Sequence, residues 1–197
     1  MSLNADQVLQ HFRATGALLE GHFLLSSGLH SAAYIQCARV LMHPDRAALL
    51  CQALADKVVE RLGQDAVEFV VSPAMGGVVV GYEMGRQLGV PAIFTERVEG
   101  EFELRRGFAL EPGVRVLMAE DVVTTGKSSR DCIAAIASAG GTVVGASCLI
   151  DRSAGAVDLG LPLISLLGLA VPAFAADDLP PELAALPAVK PGSRSMV

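Results

Sequence analysis

Two rhythms of apolar residues alternate along this chain, one at helical spacing and one in short continuous runs. Asn4 is placed to cap a helix whose residues Ala5, Val8, Leu9 and Phe12 share a face, and Gly16 closes it. Residues 17–36 break into strand-like pieces around a turn at Ser26, Ser27 and Gly28. A second helix starts at His43-Pro44-Asp45, carries Ala47, Leu50, Cys51, Leu54, Val58 and Leu62 at helical spacing, and stops at Gly63. Strands are then expected at 67–72, 90–94, 114–119, 142–150 and about 163–167. Helical patterns follow the first and third of these, and a charged stretch, 95–107, follows the second. Apolar strands alternating with helices predict an α/β fold whose parallel sheet is covered on both faces. Ligands bind such sheets at the carboxyl ends of the strands. Ser72-Pro73, Glu120-Asp121 and Asp151-Arg152 all fall at those ends, three polar tips on one rim.

The strand that starts at Val114 carries the most chemistry. Residues 114–129 read VRVLMAEDVVTTGKSS: an apolar run, two adjacent carboxylates, two more apolar residues, a small-residue turn and a helix start. Small hydroxyl residues and a glycine let backbone N–H groups close around an anion, and a helix N-terminus favours negative charge. The carboxylates would repel that anion. They suit sugar hydroxyls, or a magnesium ion carrying a second phosphate. The pattern therefore points to a ligand with both a phosphate and a polyol. Gly126-Lys127-Ser128 also spells the end of a P-loop, but that motif needs glycine at position 121, where this chain has Asp121 beside Glu120. Two acids where a triphosphate is cradled would repel it and argue against that reading.

Length and composition narrow the field. A chain of 197 residues, 52% hydrophobic and 18% charged, is expected to be a single domain spanning 1–197. A formal net charge of −6, no tryptophan and two tyrosines argue against a nucleic-acid partner. Cys37, Cys51, Cys132 and Cys148 are widely spaced in apolar surroundings, so reduced core thiols are expected rather than a zinc site. Residues 132–150 carry no charge, but Gly140-Gly141 splits them into a helix end and a strand, so no membrane span is expected. The polar N-terminus lacks a signal pattern, and the expected location is cytoplasmic. The Pro- and Ala-rich tail from Val171 is expected to pack partly on the surface, and residues 190–197 to be disordered. His11, His22, His30 and His43 are scattered and read as structural or surface residues.

Residues 114–129 resemble the phosphoribosyl-diphosphate (PRPP) binding motif of type I phosphoribosyltransferases, with Glu120 and Asp121 as its acid pair. Ala74-Met75-Gly76-Gly77 resembles the pyrophosphate loop of the same family; by contrast Gly81, Gly85 and Gly89 read as a ridge for close helix packing. Phe23, Leu25, Ser27, Gly28, Ser31 and Tyr34 fit the hood signature of orotate phosphoribosyltransferases. Asp151-Arg152 stands where that family carries the arginine that binds the orotate carboxylate, and an arginine offers a planar fork for that purpose.

The resemblance implies a parallel five-stranded sheet flanked by helices, a small N-terminal hood from about 17–40, and a flexible loop at about 96–107. It implies transfer of the phosphoribosyl group of PRPP to orotate in pyrimidine synthesis. Mg²⁺ would be the cofactor, held mainly through PRPP with no direct protein ligand. A homodimer is implied, its flexible loop reaching the partner's site. Glu120 and Asp121 would be catalytic. PRPP would be bound by these two with Arg97, Val122, Val123, Thr124, Thr125, Gly126, Lys127 and Ser128. Orotate would meet Thr124, Arg152, Tyr34 and Ile35. The chain departs from many relatives in its loop, where Arg97, Arg105 and Arg106 are the only cations and lysine and histidine are missing. Gly76 and Ser26 also replace lysines found in some relatives. The alternatives are a transferase for a purine base and a non-catalytic PRPP-sensing regulator on the same fold.

Overall fold

The structure is a computed structural model that describes residues 3–25 and 27–190. Helix α1 (Ala5–Ala14) opens on a capping box: the Asn4 side chain accepts from the Gln7 N–H and the Gln7 side chain accepts from the Asn4 N–H, both at 2.9 Å. Val8 and Phe12 bury the apolar face of α1. Strands β1 (Leu18–Leu24) and β2 (His30–Ile35) form an antiparallel hairpin, the hood. Ser26, at its turn, lies outside the described residues. A short helix α2 (Cys37–Leu41), unmarked in the apolar pattern, precedes α3 (Pro44–Leu62), where Pro44 sits in the first turn and Gly63 stands at the C-cap.

The main sheet follows. Strand β3 (Phe69–Pro73) leads to α4 (Gly77–Leu88), β4 (Ala92–Val98) and β5 (Glu101–Leu104) form a hairpin, and β6 (Arg115–Val123) leads to α5 (Lys127–Ser138). Strands β7 (Thr142–Asp151) and β8 (Leu163–Gly168) complete it, and the order is β5-β4-β3-β6-β7-β8. Five neighbouring strands are parallel, as expected, and β5 adds a sixth, antiparallel, at the β4 edge. The expected loop at 96–107 is in large part this hairpin. Strand β4 runs on to Val98 because its partner β5 satisfies the backbone of its polar half.

Side-chain alternation along β6 divides the core. Leu117 and Ala119 face the cluster of α3 and α4 with Leu50, Leu54, Val80 and Met84. Val116 and Met118 face α5, with Cys132, Ile136 and Ala146. The uncharged run at 132–150 is the end of α5 and the buried strand β7; among the described residues no helix is long and apolar enough to cross a membrane. All four cysteines are buried and free.

The tail does more than cover surface. Strand β9 (Ala173–Phe174) pairs with β2, and helix α6 (Pro181–Ala184) buries Leu183. The Leu24 N–H donates to the Val189 carbonyl at 2.9 Å and the Val189 N–H to that of His22 at 2.8 Å. The hood is thus a sheet of order β1-β2-β9 tied at both edges by the C-terminal segment. Buried His22 joins it, with Nδ1 2.8 Å from the Leu186 carbonyl and Nε2 2.6 Å from Nδ1 of His30. Residues 191–197, for which disorder is expected from sequence, lie outside the described residues.

The glycine ridge of α4 acts in packing. A Cβ at Gly81 would lie 2.4 Å from the Ser72 hydroxyl oxygen and 2.6 Å from its Cβ, and one at Gly85 2.7 Å from the Ala92 Cβ. Gly89 ends the helix at a left-handed φ of 71°. This close approach of α4 to β3 sets the turn at 74–77 against the sheet. Gly81→Ala is therefore expected to destabilise the protein by about 1–3 kcal/mol, because overpacking outweighs the helix-propensity gain of about 1 kcal/mol. A thermal melt of the variant checks this; a melting temperature equal to or above the parent's would contradict the packing role.

Candidate active site

The turn between β6 and α5 is built to present backbone donors. Gly126 caps α5 at φ +71°, and a Cβ there would stand 2.6 Å from a methyl of Val157, so both backbone and space demand glycine. Arg130, one turn into the helix, donates to the Thr125 carbonyl at 2.6 Å and to the Asp158 carbonyl at 3.1 Å. With that carbonyl tied back, the turn can offer N–H groups to a ligand at the helix N-terminus. Arg97, Glu120, Val122, Val123, Thr124, Thr125, Gly126, Lys127, Ser128 and Ser129 line a pocket of about 260 Å³ here. Nine of these were expected from sequence; Ser129 was not.

The two acids point away from each other. Adjacent strand residues face opposite sides of a sheet, and Glu120 takes the α5 side while Asp121 takes the α4 side. Glu120 is buried in the pocket wall and accepts a short hydrogen bond from the Ser129 hydroxyl. Burial pushes its carboxyl up to about 7, the Ser129 hydroxyl works against that rise, and the Asp121 charge adds to it. Asp121 Oδ1 accepts from the Val122 N–H at 2.9 Å. Burial raises its carboxyl above the ordinary value, with the backbone donors opposing. Both Asp121 carboxylate oxygens stand 3.0–3.1 Å from where a Cβ on Gly76 would be. The absent side chain at Gly76 is thus what lets the turn 74–77 approach this acid. In that turn Met75 is exposed and the Ala74–Met75 peptide is cis.

Arg152 is reached from β7. Asp151 is buried and committed inward, with Oδ1 accepting from the Ser153 N–H at 2.8 Å and the Ser153 hydroxyl at 2.6 Å, and Oδ2 from the Gly155 N–H at 2.8 Å. This shapes the loop that carries Arg152, whose own N–H donates to the Val123 carbonyl at 2.8 Å, next to Thr124. Among the described residues the Arg152 side chain has no such partner. Its Nε is buried without a hydrogen bond, a rare condition for a buried polar atom. Burial pulls the guanidinium below its ordinary value, with Tyr34 of the hood close enough to oppose the shift. Tyr34 also tilts against Phe23, ring centroids 6.0 Å apart, while Ile35 is buried in the core.

The hairpin supplies Arg97, whose guanidinium lies 4.2 Å over the Phe102 ring and donates to Asp131 at 3.2 Å. Asp131 also receives Lys127 Nζ at 2.9 Å, so the lysine of the turn is paired along the helix surface. Arg106 makes a bidentate pair with Glu96 at 2.8 and 3.0 Å. Asp131 and Arg130 were missed from sequence; their signal was their position one turn past the helix start, facing back over it.

A parallel sheet with an anion turn, an acid pair and a Gly-Gly turn on one rim defines a class. Residues 41–160 match the family model described as phosphoribosyl transferase domain, and the chain belongs to that family. The orotate phosphoribosyltransferase of Novosphingobium aromaticivorans is 64% identical over 190 residues, 96% of this chain and 97% of that one. That of Sphingopyxis alaskensis is 60% identical over 192 residues, 97% of each chain. Within the family the chain stands among the orotate phosphoribosyltransferases. The crystal structure of orotate phosphoribosyltransferase from Aeropyrum pernix superposes with a TM-score of 0.66 at 28% identity, over 82% of this chain and 93% of that one.

The raised Glu120 carboxyl has a signed consequence. Its value rises from 4.5 to about 7 on folding, so the folded state holds a proton that the unfolded state releases between those pH values. Its contribution to stability is complete below pH 4.5 and lost as pH rises through about 7. Relative to the parent, Glu120→Gln is expected to gain stability between pH 4.5 and 7, by up to about 3 kcal/mol. Denaturant melts at several pH values check this, and a difference between the two proteins that does not change with pH would contradict it.

Proposed function

We propose that the protein uses this site to transfer the 5-phosphoribosyl group of PRPP to orotate, giving orotidine 5′-monophosphate and pyrophosphate in de novo pyrimidine synthesis. The observation that carries the acceptor is Arg152: a buried Nε without a partner, beside Tyr34 of the hood and next to Thr124. A carboxylate on the acceptor would satisfy that fork, and orotate carries one where purine bases do not.

The backbone of residues 124–128 and the α5 N-terminus hold the 5′-phosphate, and Val122 and Val123 set the strand end that aims them. Glu120 and Asp121 bind the ribose hydroxyls from the two faces of the sheet. As the bond from C1′ to pyrophosphate lengthens, positive charge grows on the ribose, and the two carboxylates offset it. The turn of Ala74, Met75, Gly76 and Gly77 lies against Asp121 and receives the departing pyrophosphate, and Arg97, which lines the pocket with Glu120, is the cation that would meet its charge. Arg152, Thr124, Tyr34 and Ile35 fix orotate so that N1 meets C1′. Holding both reactants replaces a bimolecular encounter, and the chain needs no covalent nucleophile.

Mg²⁺ belongs to this reading; it would be held mainly through PRPP, beside the acid pair and the turn at 74–77, with no direct protein ligand. The residues fit such an ion: with no side chain at Gly76, the Asp121 carboxylate and the turn at 74–77 lie against each other, an oxygen-rich carboxylate beside backbone that a diphosphate could meet. When bound, the ion would neutralise charge on the leaving pyrophosphate. A homodimer in the cytoplasm goes with the same reading, and the exposed apolar side chains of Met75, Val79 and Tyr82, in and just before α4, support a subunit contact there. The hairpin at 96–107 would then reach toward the partner's site.

Two substitutions test the assignment. Asp121→Asn, which keeps shape and removes charge, is expected to lower kcat roughly a hundredfold, about 3 kcal/mol of transition-state stabilisation. Turnover near the parent's would remove the assigned role. Arg152→Ala is expected to raise KM for orotate far more than KM for PRPP; equal weakening of both would mark a structural arginine.

A further inference from the structure

We propose that Ser129 is a positioning residue for the Glu120 carboxylate, fixing through its hydroxyl hydrogen bond the orientation in which Glu120 meets the ribose. This rests on the reading that Glu120 binds ribose, and it extends that reading to the residue that holds the carboxylate from behind.

Ser129 sits in the first turn of α5 and is fully buried. Its hydroxyl donates to Glu120 Oε2. On its inner side Glu120 meets apolar side chains and thiols, and on its pocket side Arg97 and Ser128. Met118 and Val116 precede it on the same face of β6, Cys148 is its neighbour on β7, and Cys132 lies one helical turn beyond Ser129. A thiol is a weak donor, and Cys132 Sγ lies 3.5 Å from the Thr95 hydroxyl, so the serine is the stronger fixed donor to Glu120. A flexible carboxylate placed there alone would lose its charge or turn away. Ser129 supplies the fixed donor, on a rigid helix whose N-terminal end itself favours negative charge. An ionised carboxylate has about four acceptor positions, so the one taken by Ser129 leaves others for ribose hydroxyls. Arg97 and Ser128 are the other pocket groups that favour the charged form.

The test is a double-mutant cycle on Ser129→Ala and Glu120→Gln, read by kcat, by KM for PRPP and for orotate, and by thermal melting. Ser129→Ala is expected to lower kcat/KM for PRPP about tenfold, the loss of one hydrogen bond to a charged group. The orotate KM should stay within about twofold in the same variant. In the Glu120→Gln background, where no charge remains to orient, the same serine change should cost less than about twofold. Full and independent effects in both backgrounds, or equal losses for both substrates that track a lower melting temperature, would overturn the positioning role. If Glu120→Gln alone leaves turnover at the parent's value, the ribose reading itself fails, and that outcome is separate from any behaviour of Ser129.

Discussion

The site depends on holding two carboxylates at the end of a buried strand without letting either drift or pair with a cation. Among the described residues neither Glu120 nor Asp121 makes a salt bridge. Each is instead held by a neutral donor, a serine hydroxyl for one and a backbone N–H for the other. The alternation of side chains along β6 then sends them to opposite faces, one toward the anion turn and one toward the Gly-Gly turn. In the proposed reading, a ligand lying across the strand tip would meet a carboxylate from either side of the sheet. Burial makes this costly, which is why both carboxyls are raised. Stability is given up where charge is needed, a common feature of functional sites.

The framework around the acids consists of close approaches and tied-back polar groups. Gly81 lets α4 lie against Ser72, and that brings Gly76 to Asp121. Gly126 and Arg130 hold the anion turn open from the other side. Asp151 spends its carboxylate entirely on its own loop, and the arginine beside it is left without a counterion. The hood brings Tyr34 to that arginine and is itself braced by the C-terminal segment through β9 and Val189. The surroundings of Arg152 thus draw on both the N-terminal hood and the C-terminal segment.

Much of this was readable in the sequence because it is local. The acid pair, the turn and the start of α5 are contiguous, so their order is read without any long-range contact. The apolar pattern put Arg152 at a strand tip, and only the family resemblance gave it a role. What could not be read depends on distant packing. Ser129 is one serine among several until α5 docks over Glu120. Strand β9 has two residues and pairs across more than a hundred positions with β2, so no periodicity announces it. The β4–β5 hairpin hid in a charged stretch because an edge pair half in solvent carries charges on one face, as the Glu96–Arg106 pair does.

The most direct measurement mixes the protein with Mg²⁺ and PRPP and follows the ultraviolet absorbance of orotate, then repeats the assay with adenine, hypoxanthine and uracil. The account predicts PRPP-dependent loss of orotate and no turnover of the other three. Turnover of a purine base, or PRPP binding without consumption of orotate, would contradict it.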